Sequence, residues 1–359
     1  MTRGTLSTQE LAELVRGAGN GLAPQAGRAV GKALADIKAG CVAARIDSEE
    51  SRWLAQLIED SPELLAPGAR RLFDGIELYA VDSDHPNAFA RIAAGTPQIL
   101  VFSGLRHLIH YFADFVTVLA LLQSHRADAT IDDGQGGAHP EAFLFSMACT
   151  VVLADFVTTN RIPATLHDLL GPQAQNNVRI GFRTALLFVL LHELGHLELG
   201  HLSDGPLSEV AHVGLLEPET LSLRQADELA ADEFAIAQIA PAYRADLISS
   251  LMLLMGGFAL LEAFYGGLSA SHPLAINRLA RLADLLELDA GTRAIVSSWI
   301  GDRVRSFRSL AADRVAGDGS IGDRIAATMS IDHAYAVIAE VKRRVRQGPG
   351  TLEAIPPPV

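Results

Sequence analysis

Residues 190–201 read LLHELGHLELGH, which sets three histidines and two glutamates in an otherwise apolar run. The five residues from His192 to His196 have the spacing H-E-x-x-H. At about 100° per residue the two imidazoles fall about 40° apart, one turn from each other on one helical face. Both therefore reach a single Zn²⁺. Glu193 stands beside that line, where a carboxylate takes a proton from a water the metal activates and hands it to a leaving amine. His201, five residues past His196, points about 140° away on the same helix and is read as a polar residue at the helix end.

Two histidines leave a catalytic zinc site one protein ligand short, because such sites take three and keep one position open for water. The segment RQADELAADEFAIAQIA, residues 224–240, offers Glu228 and Asp232 at i and i+4 on one helical face. Glu228 can bind the metal from a second helix. Asp232, one turn on, can accept the N–H of a ligand imidazole and fix its orientation. The other reading of this pair is two solvent-facing charges on an amphipathic helix. Asp227 and Glu233 are fallback ligands without an i+4 carboxylate partner, and Glu217 and Glu219 flank Pro218 in an expected loop.

Composition limits the alternatives. The 359 residues are 49% hydrophobic, enough for a substantial core, and the formal charge is −13. An acidic chain with scattered lysines and arginines is a poor partner for nucleic acid, whose binding rests on neutralising phosphates. The two cysteines, Cys41 and Cys149, indicate no disulfide framework, so a metal site here is built from nitrogen and oxygen. The opening MTRGTLSTQELAELVRGAGN has no apolar core of a signal peptide, and Ser7 and Glu10 have capping-box spacing. The expectation is a cytoplasmic protein. Two apolar stretches, 143–157 and 247–268, are read as buried core helices rather than membrane spans, with peripheral membrane association as the disfavoured alternative.

Along the chain, apolar spacing predicts helices through residues 5 to about 75, with SRWLAQLIEDSPELL stopped by Pro67 and Gly68. GIELYAVDS (75–83) and PQILVFS (97–103) are β-rich runs that can form a small sheet. Helical patterning resumes through LRHLIHYFADFVTVLALLQ, the Gly- and Asp-rich stretch 126–142 reads as a surface loop, and the remainder is helical up to a frayed IPPPV tail. The fold class expected is mainly α with a small β-sheet.

H-E-L-G-H at 192–196 followed by E-x-x-x-D at 228–232 has the gluzincin pattern, and three further stretches resemble the M48 metallopeptidases. PNAFA (86–90) with PQILVFSGL (97–105) is similar to that family's N-A-F segment leading into an edge strand. HELGHLELGH is similar to its extended zinc helix, and SASHPLAINRLARL (269–282) resembles its S-H-P-x-x-x-x-R element. The resemblance implies a zincin-like domain over 75–290, with the H-E-x-x-H helix packed on the E-x-x-x-D helix and an edge strand over the cleft. A helical region, 1–74, precedes it and another, 291–359, follows.

It also implies one Zn²⁺ held by His192, His196 and Glu228, with Glu193 as general base, His272 as the oxyanion donor (Tyr265 as an alternative) and Arg278 orienting the His272 loop. A protein or peptide substrate would add as a strand along Gln98, Ile99, Leu100, Val101, Phe102 and Ser103, if that run is an edge rather than an interior strand. In the family the edge strand and zinc helix are close in sequence. Here about ninety residues separate them, and this insertion, about 106–180, is expected to cover the cleft or to dock a regulatory partner. A second resemblance is to soluble H-E-x-x-H peptidases of the phage-exclusion type, which implies a single chosen protein substrate. The alternative to a general protease is a latent, partner-regulated or structural zinc protein.

Two further motifs carry less. GDGSIG (317–322) matches a dinucleotide fingerprint but follows a helical segment with no βαβ unit, so it reads as a turn. His107 and His110 are three apart on a helix but lack a carboxylate partner, and read as polar helix positions.

Overall fold

The computed structural model describes residues 46–82, 86–127, 145, 148–149, 151–153, 166–202, 218–265, 273–294, 296 and 329–347. These residues are mainly α-helical with one four-stranded sheet. The chain divides into two compact units, 1–106 with 183–309, and 107–182 with 310–359. His272, the Ser7–Glu10 cap and GDGSIG lie outside the described residues, as does most of the 126–142 loop.

In the first unit the sheet runs in the order β1-β2-β4-β3, with β1 Ile46–Asp47, β2 Glu77–Val81, β3 Ala88–Ala93 and β4 Thr96–Phe102. β1 pairs antiparallel to β2, β2 parallel to β4, and β4 antiparallel to β3. The β3–β4 hairpin turns on Ala94 and Gly95, both at positive φ (51° and 82°), as a two-residue turn matched to strand twist requires. Glu77, Gln98 and Arg91 stand in register across three strands, and Gln98 bonds both neighbours, through its Nε2 to Glu77 at 2.6 Å and its Oε1 from Arg91 at 2.7 Å. That ladder satisfies a buried amide and pins the register.

This topology corrects one expectation. Gln98, Ile99, Leu100, Val101 and Phe102 are the buried residues of β4, which is paired on both sides, and Ser103 opens the next helix. An interior strand has no main-chain groups left for a substrate. The edges are the two-residue β1 and the longer β3, which carries the N-A-F residues Ala88 and Phe89.

Helix α1, Ser48–Glu59, is capped by Asp47, whose Oδ1 accepts from the N–H groups of Glu49 and Glu50 at 2.9 Å each. It ends at Asp60, earlier than Pro67, because residues 64–66 instead bond the chain after Ile236, with Ala66 N–H to Gln238 O at 2.8 Å and Ala240 N–H to Leu64 O at 2.9 Å. Helix α2 spans Ser103–Ala127 and α3 spans Pro172–Glu198, the latter starting with Pro at its first position, where no N–H is needed. Then follow α4 (Pro218–Ala237), α5 (Arg244–Tyr265), α6 (Ala275–Leu285) and α7 (Ile331–Gln347). Among the described residues, α3 is the one helix long and apolar enough to cross a membrane, and 61% of its most apolar window is buried inside the protein. Leu186, Leu187, Leu190, Leu191 and Leu194 on α3 are fully buried, which is what its hydropathy is used for.

In the second unit, Phe112, Phe115 and Phe145 form an aromatic chain with ring centres 5.8 and 6.2 Å apart. A 3₁₀ turn, His167–Leu169, is tied to α7 by Lys342 Nζ to Asp168 Oδ1 at 2.7 Å.

Candidate metal centre

Helices α3 and α4 bring His192, His196 and Glu228 to one point. The two Nε2 atoms are 3.2 Å apart, and the Glu228 carboxylate lies 3.3 Å from His192 Nε2 and 3.4 Å from His196 Nε2. The two contacts use different oxygens, Oε2 toward His192 and Oε1 toward His196, so the carboxylate faces the imidazole pair with both. Tetrahedral coordination with bonds of about 2.0–2.1 Å sets ligand atoms about 3.3–3.4 Å apart, close to the spacing of the two Nε2 atoms, and one ligand atom from each of the three residues lies within 4.8 Å of the others, so the donor set fits a four-coordinate cation. All three residues are buried or nearly so.

The helices approach this closely because of Gly195. A Cβ there would stand 3.1 Å from the Ala231 Cα and 3.2 Å from both the Ala231 carbonyl oxygen and Phe234 Cδ1. Gly195 and Ala231 thus form the contact that carries Glu228 to the histidines. Gly195 lies inside the H-E-x-x-H motif, where the pattern itself assigns no role.

Asp232, one turn beyond Glu228, is fully buried, with its Oδ1 2.9 Å from His192 Nδ1. That contact holds the Nδ1–H tautomer and leaves Nε2 as the lone-pair donor facing His196 and Glu228. Arg278, from α6, closes on Asp232 with Nε–Oδ2 at 2.8 Å and Nη2–Oδ1 at 2.6 Å, a bidentate pair. Its Nη1 is also 3.8 Å from Glu228. Arg278 thus fixes the carboxylate behind His192, while the His272 loop it was expected to orient lies outside the described residues. Asp227 and Glu233 are not at the centre: Asp227 faces His201 at 3.6 Å, and Glu233 pairs with Arg281.

His201 is not an isolated polar helix end. Helix α3 stops with Gly200 in the left-handed region (φ 69°) and the His201 N–H bonded to the His196 carbonyl at 3.0 Å, a Schellman ending. The turn folds His201 back, so its Nδ1 lies 3.2 Å from His196 Nδ1 and its Nε2 3.6 Å from Asp227. His201 thus stands behind His196 much as Asp232 stands behind His192. A straight helical wheel missed this because the helix ends at Glu198, three residues before His201, and Gly200 was the sequence signal for it.

The electrostatics follow from burial among opposed charges. Burial pushes the His192 imidazolium down, but Asp232 and Glu228 outweigh it and raise its pKa to about 10. A proton and a metal cation compete for the same nitrogen. Burial raises the Glu193 carboxyl, opposed by His192 and His196 and by a hydrogen bond from the Ala90 main chain. Asp232 is penalised by burial, yet Arg278 and His192 hold it below the usual carboxylate range.

The Ala90 contact ties Glu193 to the edge strand. In the β3–β4 ladder the Phe102 N–H bonds the Asn87 carbonyl, which fixes the alternation: residues 87, 89, 91 and 93 face β4, and the main-chain groups of Ala88, Ala90 and Ile92 face outward. The outer edge of β3 therefore runs past the Glu193 carboxylate.

Residues 163–297 match the family model Peptidase U49, a stretch that contains His192, Glu193, His196, Glu228, Asp232 and Arg278 and covers well under half of the chain. No curated protein and no solved structure matches the chain. The family match supports a peptidase, and the paired groups at its centre can hold a metal ion.

Proposed function

We propose that this chain is a zinc-dependent endopeptidase acting on a protein or peptide substrate. The observation that carries the reading is the convergence of His192 Nε2 and His196 Nε2, 3.2 Å apart, on the Glu228 carboxylate, whose Oε2 and Oε1 lie 3.3 and 3.4 Å from them, next to a buried Glu193. Two imidazoles and one carboxylate make a donor set suited to zinc. When bound, the metal would act as a Lewis acid and lower the pKa of the attacking water.

The chain's own residues supply the rest. Glu193 accepts the proton of the attacking water and returns it to the leaving amine, a transfer favoured by its raised proton affinity. Asp232 orients His192, and Arg278 holds Asp232. The substrate lies along the outer edge of β3, using the outward main-chain groups of Ala88 and Ile92 beside Ala90. His272 keeps the oxyanion-donor role by resemblance alone. The phage-exclusion resemblance favours a single chosen protein as substrate over general proteolysis.

A structural zinc site would need a fourth protein ligand. Among the described residues the group contains three, and His201 meets His196 at Nδ1 rather than at the Nε2 face. The test is the appearance of new protein termini, read by mass spectrometry, in an undigested whole-cell extract incubated with wild type and with E193Q. Cleavage by wild type and none by E193Q is the expected result; equal cleavage by both would overturn the proposal.

A further inference from the structure

We infer that the second unit carries a metal site of its own, formed by His110, Asp114 and His167, for a borderline divalent cation such as Zn²⁺. His110 and Asp114 are one turn apart on α2 and share a face, with His110 Nδ1 3.9 Å from Asp114 Oδ2. The 3₁₀ turn at 167–169 brings His167 Nδ1 to 3.0 Å from Asp114 Oδ1. One carboxylate thus lies between two imidazoles with an oxygen toward each, and one ligand atom from each residue lies within 4.8 Å of the others. The carboxylate partner that His110 was expected to lack is Asp114, four residues on, and the second imidazole comes from a turn more than fifty residues away.

Burial gives the cluster its direction. Asp114 is fully buried, whereas the His110 and His167 side chains are 38% and 33% exposed, so the carboxylate forms the floor and the imidazoles form a rim open to solvent. A cation has an entry path, and water can fill the remaining positions.

The rim is held in position. The edge of Phe182 packs on His110 at 5.5 Å, Gln175 bonds the His167 carbonyl at 3.1 Å, and Lys342 anchors the neighbouring Asp168. A simple Asp114–His167 pair accounts for one oxygen but not for the approach of His110 to the other. Two nitrogens and one oxygen favour zinc, cobalt or nickel over magnesium or calcium. His110 and Asp114 lie outside the stretch that matches the peptidase family, and His167 lies within it.

The experiment is zinc stoichiometry by elemental analysis after equilibrium dialysis of the full chain, for wild type, H110A/H167A, E228A and all three substitutions combined. The expected result is two zinc ions in wild type, one fewer in H110A/H167A, and one retained in E228A. Zinc should also raise the melting temperature of E228A by several degrees and leave that of the combined variant unchanged. H110A alone, at a half-exposed helix position, with the Co²⁺ d–d spectrum as readout, covers the case in which the double variant does not fold; loss of one cobalt band set supports the site. Zinc content and cobalt spectrum unchanged by these histidine substitutions would overturn the inference. Loss of zinc in E228A but not in H110A/H167A would do so while leaving the α3–α4 centre intact.

Discussion

His192 Nδ1 lies 2.9 Å from Asp232 Oδ1, and the same carboxylate is gripped from behind by the Arg278 guanidinium at 2.6 and 2.8 Å. A buried imidazole, carboxylate and guanidinium in sequence form a rigid support whose far end is the Nε2 facing Glu228. D232N keeps the shape but weakens the acceptor, so metal affinity should fall roughly 10–100-fold, measured by competition with a chromophoric chelator. R278M leaves the buried Asp232 carboxylate with His192 as its remaining partner, and should cost up to about 3–5 kcal/mol in urea unfolding.

Gly195 tests the helix contact. In G195A the new methyl meets Ala231 backbone at 3.1–3.2 Å, so α4 must shift away and take Glu228 with it. Overpacking of this kind costs about 1–3 kcal/mol, and metal affinity should fall with no ligand removed. Unchanged metal affinity would show that Glu228 is placed by something other than this contact.

The Schellman ending of α3 predicts that G200A and H201A share a phenotype. Ala at a φ of 69° is strained by about 1 kcal/mol, and His201 loses the turn that returns it to His196. Both variants should weaken metal binding, G200A with a loss of stability and H201A with little. Chelator competition and thermal melting separate the two effects.

The edge of β3 makes a kinetic prediction. The Ile92 N–H points outward, opposite Pro97 in a non-bonded pair, so I92P removes a donor without breaking the ladder. KM for a peptide substrate should rise severalfold while zinc content stays constant. R91P, which removes an inward bond to β4, should instead destabilise the fold.

Cys149 and Tyr111 predict an alkaline weakness. Burial raises both groups in the folded chain, the thiol far above its ordinary range. The folded state keeps protons that the unfolded chain releases above about pH 8.5 for the thiol and about pH 10 for the phenol. The contribution of these two groups to stability is therefore complete below about pH 8.5 and falls as pH rises. Urea unfolding between pH 7 and 10.5 should show this decline, and C149A should flatten its first part.

Much of the centre was legible in the sequence, because i and i+4 spacing survives in any helix: His192 with His196, and Glu228 with Asp232. The sheet was legible as two β-rich runs but not in its order. The continuous apolar run Ile99–Phe102 is the pattern of a strand buried on both faces, while Ala88–Ala93 has little β-branched character and is made a strand by its Ala94–Gly95 turn. Residues meeting across long sequence separations were invisible. Arg278 on Asp232 and His167 on Asp114 depend on how helices pack, and His201 depended on one left-handed glycine.

The central claim is a single catalytic cation at the meeting of α3 and α4. Anomalous diffraction at the zinc edge from crystals of full-length E193Q tests it most directly. The account predicts a peak bounded by His192, His196 and Glu228, with the fourth position open to water beside residue 193. An absent peak at this point, or a fourth protein ligand filling the open position, would contradict it.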